Sequence, residues 1–215
     1  MKPQKNNEPL SSLTHFIGAL LSVAALVLMI VFAELYGRTA HVVGFTIFGV
    51  SLILLYSTST LYHFFQQNTK VKKVFHRLDH AMIYVLIAGT YTPITLVMPQ
   101  RVWGWTIFGI IWGLAAIGIT FKGLGIKMTG WLSVAIYIIM GWLVVVAFYP
   151  LTQWLSIDAF KWLFAGGIMY TGGCIFYALD KYLPRTRWFG MHELFHLFVM
   201  AGSFSHFWLM LRHIM

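Results

Sequence analysis

The sequence has few charged residues and almost no cysteine. Only 10% of its 215 residues are charged and 59% are hydrophobic, which leaves too little polar surface for a soluble domain of this size. This balance argues against a secreted pore-forming toxin, because such a protein must first be soluble. The single cysteine, Cys174, excludes a disulfide framework within the chain and a zinc site built from several cysteines. We therefore expect an integral membrane protein.

Acidic residues are also scarce, and the basic residues are unevenly placed. Six Asp and Glu stand against fifteen Lys and Arg, which gives a net charge of +9. One side of the expected membrane protein holds eleven basic residues: Lys2, Lys5, Lys70, Lys72, Lys73, Arg77, Lys122, Lys127, Lys181, Arg185 and Arg187. The other side holds four: Arg38, Arg101, Lys161 and Arg212. The positive-inside rule then predicts a cytoplasmic N-terminus and an external C-terminus, and it explains the basic charge without a nucleic-acid partner.

Seven apolar runs are long enough to cross a bilayer, which takes about 20 residues. We expect membrane spans at 15–36, 41–64, 78–98, 102–121, 129–149, 159–179 and 191–212. The connections between them are short, and no stretch has the length of a soluble domain. The sequence thus predicts an all-α, polytopic membrane protein, with a short cytoplasmic segment at 1–14 and one seven-helix transmembrane domain at 15–215.

Polar side chains gather near the cytoplasmic ends of four predicted spans. They are Glu8 and His15 at the first span, Ser59 and His63 at the second, Asp79 and His80 at the third, and His192, Glu193 and His196 at the seventh. Ionisable residues within membrane spans are costly and are candidates for function by default. The predicted topology places all of these side chains at one depth, just inside the cytoplasmic surface.

The stretch MHELFH contains H-E-x-x-H, the zinc signature of many metalloproteases. His192 and His196 are four residues apart, so both rings share one helix face and can bind one ion. A histidine from another helix would complete a three-histidine site with a fourth position open to water, and His63 is the best placed candidate. Asp79 could hold that water or act as its base.

Simpler interpretations stay open for each of these residues. Lone H-E-x-x-H sequences often arise by chance, and His192 could be an interfacial residue at a helix start. Glu193 could be a favourable charge near the helix N-terminus. His206 is expected to hydrogen-bond a neighbouring helix, and Arg77 could belong to the basic loop alone. The convergence of several polar groups at one depth favours the metal site.

Three patterns together resemble a known family. They are S-x-x-x-H at Ser59–His63, HRLDHAMIY around Asp79, and H-x-x-x-H at His192–His196. This combination, with EPLSSLTH before the first span, resembles the hemolysin III branch of the PAQR family, relatives of the adiponectin and progestin receptors. The short N-terminal segment resembles the bacterial members, whose branch is named for haemolysis and linked to membrane homeostasis.

The resemblance implies a zinc ion bound by His63, His192 and His196, with Asp79 and Ser59 beside it. For a hydrolase we expect Asp79 and Ser59 to be the catalytic residues. The wider superfamily, of CREST type, includes alkaline ceramidases and is regarded as membrane hydrolases acting on lipid amides. The further candidates around the ion are His80, Glu193, His15 and Arg77. The shared element of the superfamily is H-x-x-x-H, so it assigns no role to Glu193.

Three functions are compatible with the sequence. The first is a zinc-dependent hydrolase of a membrane lipid amide or ester, which could release a fatty acid within the bacterial cell membrane. The second is a receptor or regulator in which zinc is structural. The third is an intramembrane protease with Glu193 as its base and Asp79 as the third ligand. Turnover of lipid amides separates the first function from the second, and replacement of Glu193 separates it from the third.

Overall fold

The protein is described here from a computed structural model that covers residues 8–66, 69–126, 129–183, 186 and 189–215. Within these ranges the chain forms helices and no strand. The α-helices are α1 (Pro9–Tyr36), α2 (Thr39–Phe64), α3 (Lys70–Val97), α4 (Arg101–Gly123), α5 (Gly130–Gly141), α6 (Phe148–Thr152), α7 (Ile157–Leu179) and α8 (Met191–Leu209). A 3-10 segment (Trp142–Ala147) joins α5 to α6, and a π-helical turn (Met210–Ile214) follows α8.

Seven helical stretches in the described part of the chain are long and apolar enough to cross a membrane. Five of them are α1, α2, α3, α4 and α7. The fifth span runs from α5 to α6, and the seventh runs through α8 and the π-helical turn. The predicted seven-helix, all-α architecture is therefore confirmed. The side of the membrane on which each terminus lies stays a prediction; five of the basic residues behind it, Lys2, Lys5, Lys127, Arg185 and Arg187, lie outside the described residues.

Two helices begin earlier than their apolar runs. Helix α1 begins at Pro9 rather than at residue 15, because proline suits the first position of a helix. Helix α3 begins at Lys70 rather than at residue 78, since the Thr69 hydroxyl caps it by accepting a hydrogen bond from Lys72 N–H at 3.1 Å. The expected span at 78–98 places Asp79 at the start of the third helix, which is wrong, because this residue lies more than two turns inside α3.

Helices α1 to α4 pack as sequential neighbours, α7 packs against α8, and α8 closes the bundle against α1; α5 contacts α3 and α7. Helix α3 is the most enclosed span. In one continuous apolar segment of 18 residues, 72% of the residues are buried in α3, against 22% in α1. Glycine brings α2 and α3 close together, because a Cβ atom on Gly44 would lie 2.8 Å from the Cα atom of Pro93. The bundle therefore surrounds α3, while α1 gives most of its surface to lipid.

The fifth span is broken near its middle, where the backbone passes from α5 into the 3-10 segment. The Tyr91 hydroxyl on α3 lies 3.0 Å from the carbonyl of Met140 and 2.7 Å from that of Gly141, to which it donates. It also accepts a hydrogen bond from Val144 N–H at 2.8 Å. One side chain thereby satisfies backbone groups that a continuous α-helix would have paired internally.

Candidate metal centre

Three histidines from two helices meet at one end of the bundle. His192 and His196 lie one turn apart at the start of α8, and His63 lies in the last turn of α2. One ring nitrogen of each lies within 4.8 Å of the other two, and the Nε2 atoms of His63 and His192 are 3.2 Å apart. His63 and His196 are buried, and His192 is half-buried. The structure thus brings together the three histidines that the sequence singles out; they are called the histidine triad below.

The histidine triad fits a metal ion in both chemistry and spacing. Neutral imidazole is a common ligand of zinc and of other first-row transition metals. A tetrahedral zinc ion with nitrogen ligands at about 2.0 to 2.1 Å holds two of those nitrogens about 3.3 Å apart. The contact between His63 and His192 is close to that value, although it also suits a hydrogen bond. The third ring, His196, makes the group a candidate metal site, and three ligands leave a fourth position open.

The first two turns of α1 pack directly against the histidine triad. Glu8 Oε2 lies 2.6 Å from His63 Nδ1, and Thr14 Oγ1 lies 3.1 Å from His196 Nδ1. The His15 ring stacks on the His196 ring, with centroids 3.5 Å apart and planes 9° apart. Thr14 escapes prediction from the sequence because the first span is expected only from residue 15. The available signal is the helical spacing of the polar residues in EPLSSLTH.

A cavity of about 550 Å³ lies beside the histidine triad. Its deeper walls are lined mainly by apolar and aromatic side chains of α3, α5 and α7, such as Ile87, Ile138 and Phe164. Both His196 and His206 line it, and ten residues of α-helix extend about 15 Å. The cavity therefore runs from the metal-binding end of the bundle well into the depth of the membrane.

Asp79 and Ser59 line the same cavity near the histidine triad. The Asp79 side chain is 15% exposed, and its Oδ2 atom lies 3.5 Å from Nδ1 of His80. The His80 ring is held in turn by the backbone carbonyl of His76, 2.9 Å from the same nitrogen. Ser59 is buried on α2, one turn before His63. Both residues are thus placed to act on a molecule beside the histidine triad.

Glu193 lies behind the histidine triad and is not among the described side chains that line the cavity. Its carboxylate is fully buried and accepts hydrogen bonds from the Ser11 hydroxyl at 2.6 Å and from Gly190 N–H at 2.8 Å. A carboxylate in this position caps the start of α8 and ties that helix to α1. Its surroundings are those of a structural residue rather than of a base facing a reacting water.

The remaining candidates around the ion occupy different places. His15 and His80 line the cavity, whereas Arg77 lies on the exposed side of α3 with its guanidinium beside Gly125. The two ring nitrogens of His15 are buried and have no hydrogen-bond partner within the described part of the chain. The structure therefore brings His15 and His80 to the site and leaves Arg77 at the surface of the bundle.

A few polar side chains meet at the inner part of the cavity, where Tyr170 and His206 line its wall. The Ser203 hydroxyl lies 2.7 Å from the hydroxyl of Tyr56 and 3.0 Å from that of Tyr170, and the His206 ring stacks on Tyr170. The expected hydrogen bond from His206 to a neighbouring helix is not found among the described residues. Its ring instead occupies the space left by Gly166, where a Cβ atom would lie 2.5 Å from Nε2.

The sequence is similar to known proteins over nearly its whole length. A sequence model of the family described as "Haemolysin-III related" matches residues 3–207. The chain belongs to this family. Hemolysin-3 of Bacillus cereus is 44% identical over 205 residues, which cover 95% of this chain and 90% of that protein. The Hemolysin-3 homolog of Bacillus subtilis (strain 168) is 45% identical over 201 residues, which cover 94% and 91%.

A more distant relative connects this haemolysin-III related chain to animal proteins. The Monocyte to macrophage differentiation factor of Homo sapiens is 25% identical over 175 residues, which cover 78% of this chain and 69% of that protein. The predicted membership of the hemolysin III branch of the PAQR family is therefore confirmed. With its seven spans, the chain is a multi-pass bacterial membrane protein.

Proposed function

We propose that this chain is a zinc-dependent membrane hydrolase that cleaves an amide or ester bond of a membrane lipid. The observation that carries the proposal is the position of the histidine triad at one end of a cavity of about 550 Å³ with largely apolar inner walls. A pocket of this kind suits a ligand with a polar head and a hydrocarbon chain. The substrate would come from the bacterial cell membrane around the bundle, and a fatty acid would be one product.

Two side chains of the cavity wall supply the chemistry that the protein itself contributes. A zinc ion, when bound, supplies Lewis acidity, which polarises a carbonyl and lowers the pKa of water to about 7. Asp79 would act as the general base that accepts a proton from the attacking water. Ser59 would donate a hydrogen bond to the oxygen of the scissile carbonyl, where negative charge develops. His80, 3.5 Å from Asp79, would hold the carboxylate in place.

The main alternative is a receptor or regulator without catalysis, in which zinc stabilises the fold. The same histidine triad supports it, because three histidines near one another also suit a structural ion. An H-E-x-x-H protease has less support, since Glu193 is engaged by Ser11 and Gly190 away from the cavity. The name of the Bacillus cereus relative refers to haemolysis. If this protein also caused haemolysis, the effect would follow indirectly from altered membrane lipids.

Turnover of defined lipids tests the proposal. Purified, zinc-loaded protein in lipid vesicles is offered N-acyl amides and acyl esters, and free fatty acid is measured by mass spectrometry. The native protein should release fatty acid from at least one class, and His196→Ala should abolish the release. His213→Ala, which changes a histidine in the π-helical turn, is the matched control and should behave as the native protein does. If the protein binds zinc but releases fatty acid from neither class of lipid, the receptor or regulator without catalysis would be favoured.

A further inference from the structure

We propose that the first two turns of α1 and Glu8, which directly precedes them, are part of the metal centre, with Glu8 and Thr14 as positioning residues for His63 and His196. The inference rests on the proposed function only in that the histidine triad binds a metal ion. A histidine binds a metal through an unprotonated ring nitrogen, so its proton must be held on the other nitrogen. A partner that accepts a hydrogen bond from Nδ1 therefore leaves Nε2 available to the ion.

Thr14 fixes the proton of His196 through the number of bonds that its hydroxyl can make. The hydroxyl has one proton to donate and can accept further hydrogen bonds. The Thr14 hydroxyl donates to the backbone carbonyl of Ser11 at 2.9 Å, and His196 Nδ1 lies 3.1 Å from Thr14 Oγ1. With its proton engaged, the hydroxyl accepts from His196, so Nδ1 carries the proton of the ring. Nε2 is then the unprotonated nitrogen.

Glu8 does the same for His63 with a charged acceptor. An ionised carboxylate can only accept hydrogen bonds, so the 2.6 Å contact with Oε2 places the ring proton on His63 Nδ1. The unprotonated nitrogen is then Nε2, the atom that lies 3.2 Å from His192 Nε2. Lys72 Nζ lies 3.7 Å from the same carboxylate oxygen and balances part of its charge.

These contacts share one cause, which is the early start of α1 at Pro9. Residues three or four apart lie on the same side of a helix, so the beginning of α1 presents a row of polar side chains to α2 and α8. Within that row, Ser11 binds Glu193 at the start of α8, and His15 stacks on His196. A helix that contributes no ligand therefore orients two of the three ligands.

The test measures metal affinity rather than hydrolysis. Full-length protein in lipid nanodiscs is titrated with zinc against a competing chelator, and the visible spectrum of the cobalt(II) form reports the geometry of the ligands. Thr14→Val keeps the shape of the side chain and removes the acceptor, whereas Thr14→Ser keeps the hydroxyl. Loss of an outer partner of a metal ligand typically weakens binding by about 10- to 100-fold. We expect a loss of that size and an altered cobalt spectrum for Thr14→Val and Glu8→Gln, and near-native values for Thr14→Ser.

Two substitutions elsewhere serve as matched controls. Thr120→Val removes a hydroxyl that donates within its own helix to the Ala116 carbonyl at 2.8 Å, and Glu34→Gln neutralises an exposed carboxylate near the far end of α1. Both should keep the native zinc affinity. If Thr14→Val does not fold, Glu8→Gln carries the test alone.

Other results would overturn the inference. One is a native zinc affinity and an unchanged cobalt spectrum in both Thr14→Val and Glu8→Gln. Another is an equal loss of zinc affinity in Thr14→Val and Thr14→Ser, because packing rather than the hydroxyl would then matter. A native chain that binds neither zinc nor cobalt would refute the metal centre and the proposed function together. A third result would separate the two proposals. If the native chain binds zinc, the variants bind zinc more weakly as expected and no lipid is hydrolysed, the inference is supported and the proposed function is refuted.

Discussion

Replacing Asp79 by asparagine should separate catalysis from metal binding. The substitution keeps the size of the side chain and removes an oxygen that can accept a proton. Asp79 lies outside the histidine triad, so the zinc ligands are unchanged. His80, its neighbour at 3.5 Å, keeps the closer contact of its Nδ1 atom with the carbonyl of His76 at 2.9 Å. We therefore expect a folded protein with the native zinc content.

The loss of rate should be large but not complete. Removal of a general base typically slows a reaction by about 100- to 10,000-fold. At about 1.36 kcal/mol for each factor of ten, the activation barrier rises by about 2.7 to 5.4 kcal/mol. The hydrogen bond from Ser59 and the contribution of the ion would remain, which leaves a measurable residual rate.

The assay compares fatty acid release and zinc content in the same preparations. Asp158→Asn is the control, because this carboxylate lies at the start of α7, is 67% exposed and pairs with Lys161 at 2.7 Å. Its release and zinc content should match those of the native protein. Retained zinc with unchanged release in Asp79→Asn would remove Asp79 from catalysis. Lost zinc would instead make Asp79 a ligand or an essential support of one, and would refute the reasoning above.

Three further predictions follow from the fold and the site. A reporter fused after Met215 should appear on the external face, and a cytoplasmic signal would refute the topology predicted from the charge count. Elemental analysis should find about one zinc per chain. Alanine at any position of the histidine triad should lower this zinc content strongly, and His206→Ala should leave it unchanged. Full zinc content in His63→Ala would show that His63 is not the third ligand. Glu193→Gln should lower the free energy of unfolding by about 1 to 3 kcal/mol, since it weakens buried hydrogen bonds, and should leave lipid turnover in place. Loss of that turnover in a folded Glu193→Gln protein would refute the structural role of Glu193 and make it a candidate base.

The sequence predicts the spans well and their ends poorly. Hydrocarbon requires long apolar runs, so hydropathy locates all seven spans. It cannot locate helix ends that project beyond the apolar run, which is why α1 and α3 begin before residues 15 and 78. The break after Gly141 also escapes prediction, because the sequence on both sides of it is apolar.

The candidate site is predictable in part for a similar reason. The helical spacing of His192 and His196 gives the pair directly, and the predicted depth of His63 selects it as their partner. The contact of Thr14 with His196 joins residues 182 positions apart and depends on how α1 is rotated against α8. Such a rotation is set by side-chain packing between helices, which the pattern of a single sequence does not encode.

The bond between Tyr91 and the broken fifth span fixes the rotation of that span about its own axis. Backbone groups freed by a break cannot face hydrocarbon, because no water pairs with them there and each unpaired group costs several kcal/mol. The side that carries the break must therefore stay against α3. Val145 and Val146, which are 52% and 63% exposed, then face the lipid. The Tyr91 side chain thus orients the fifth span, with one face of that span held toward the lipid and the other toward the interior of the bundle.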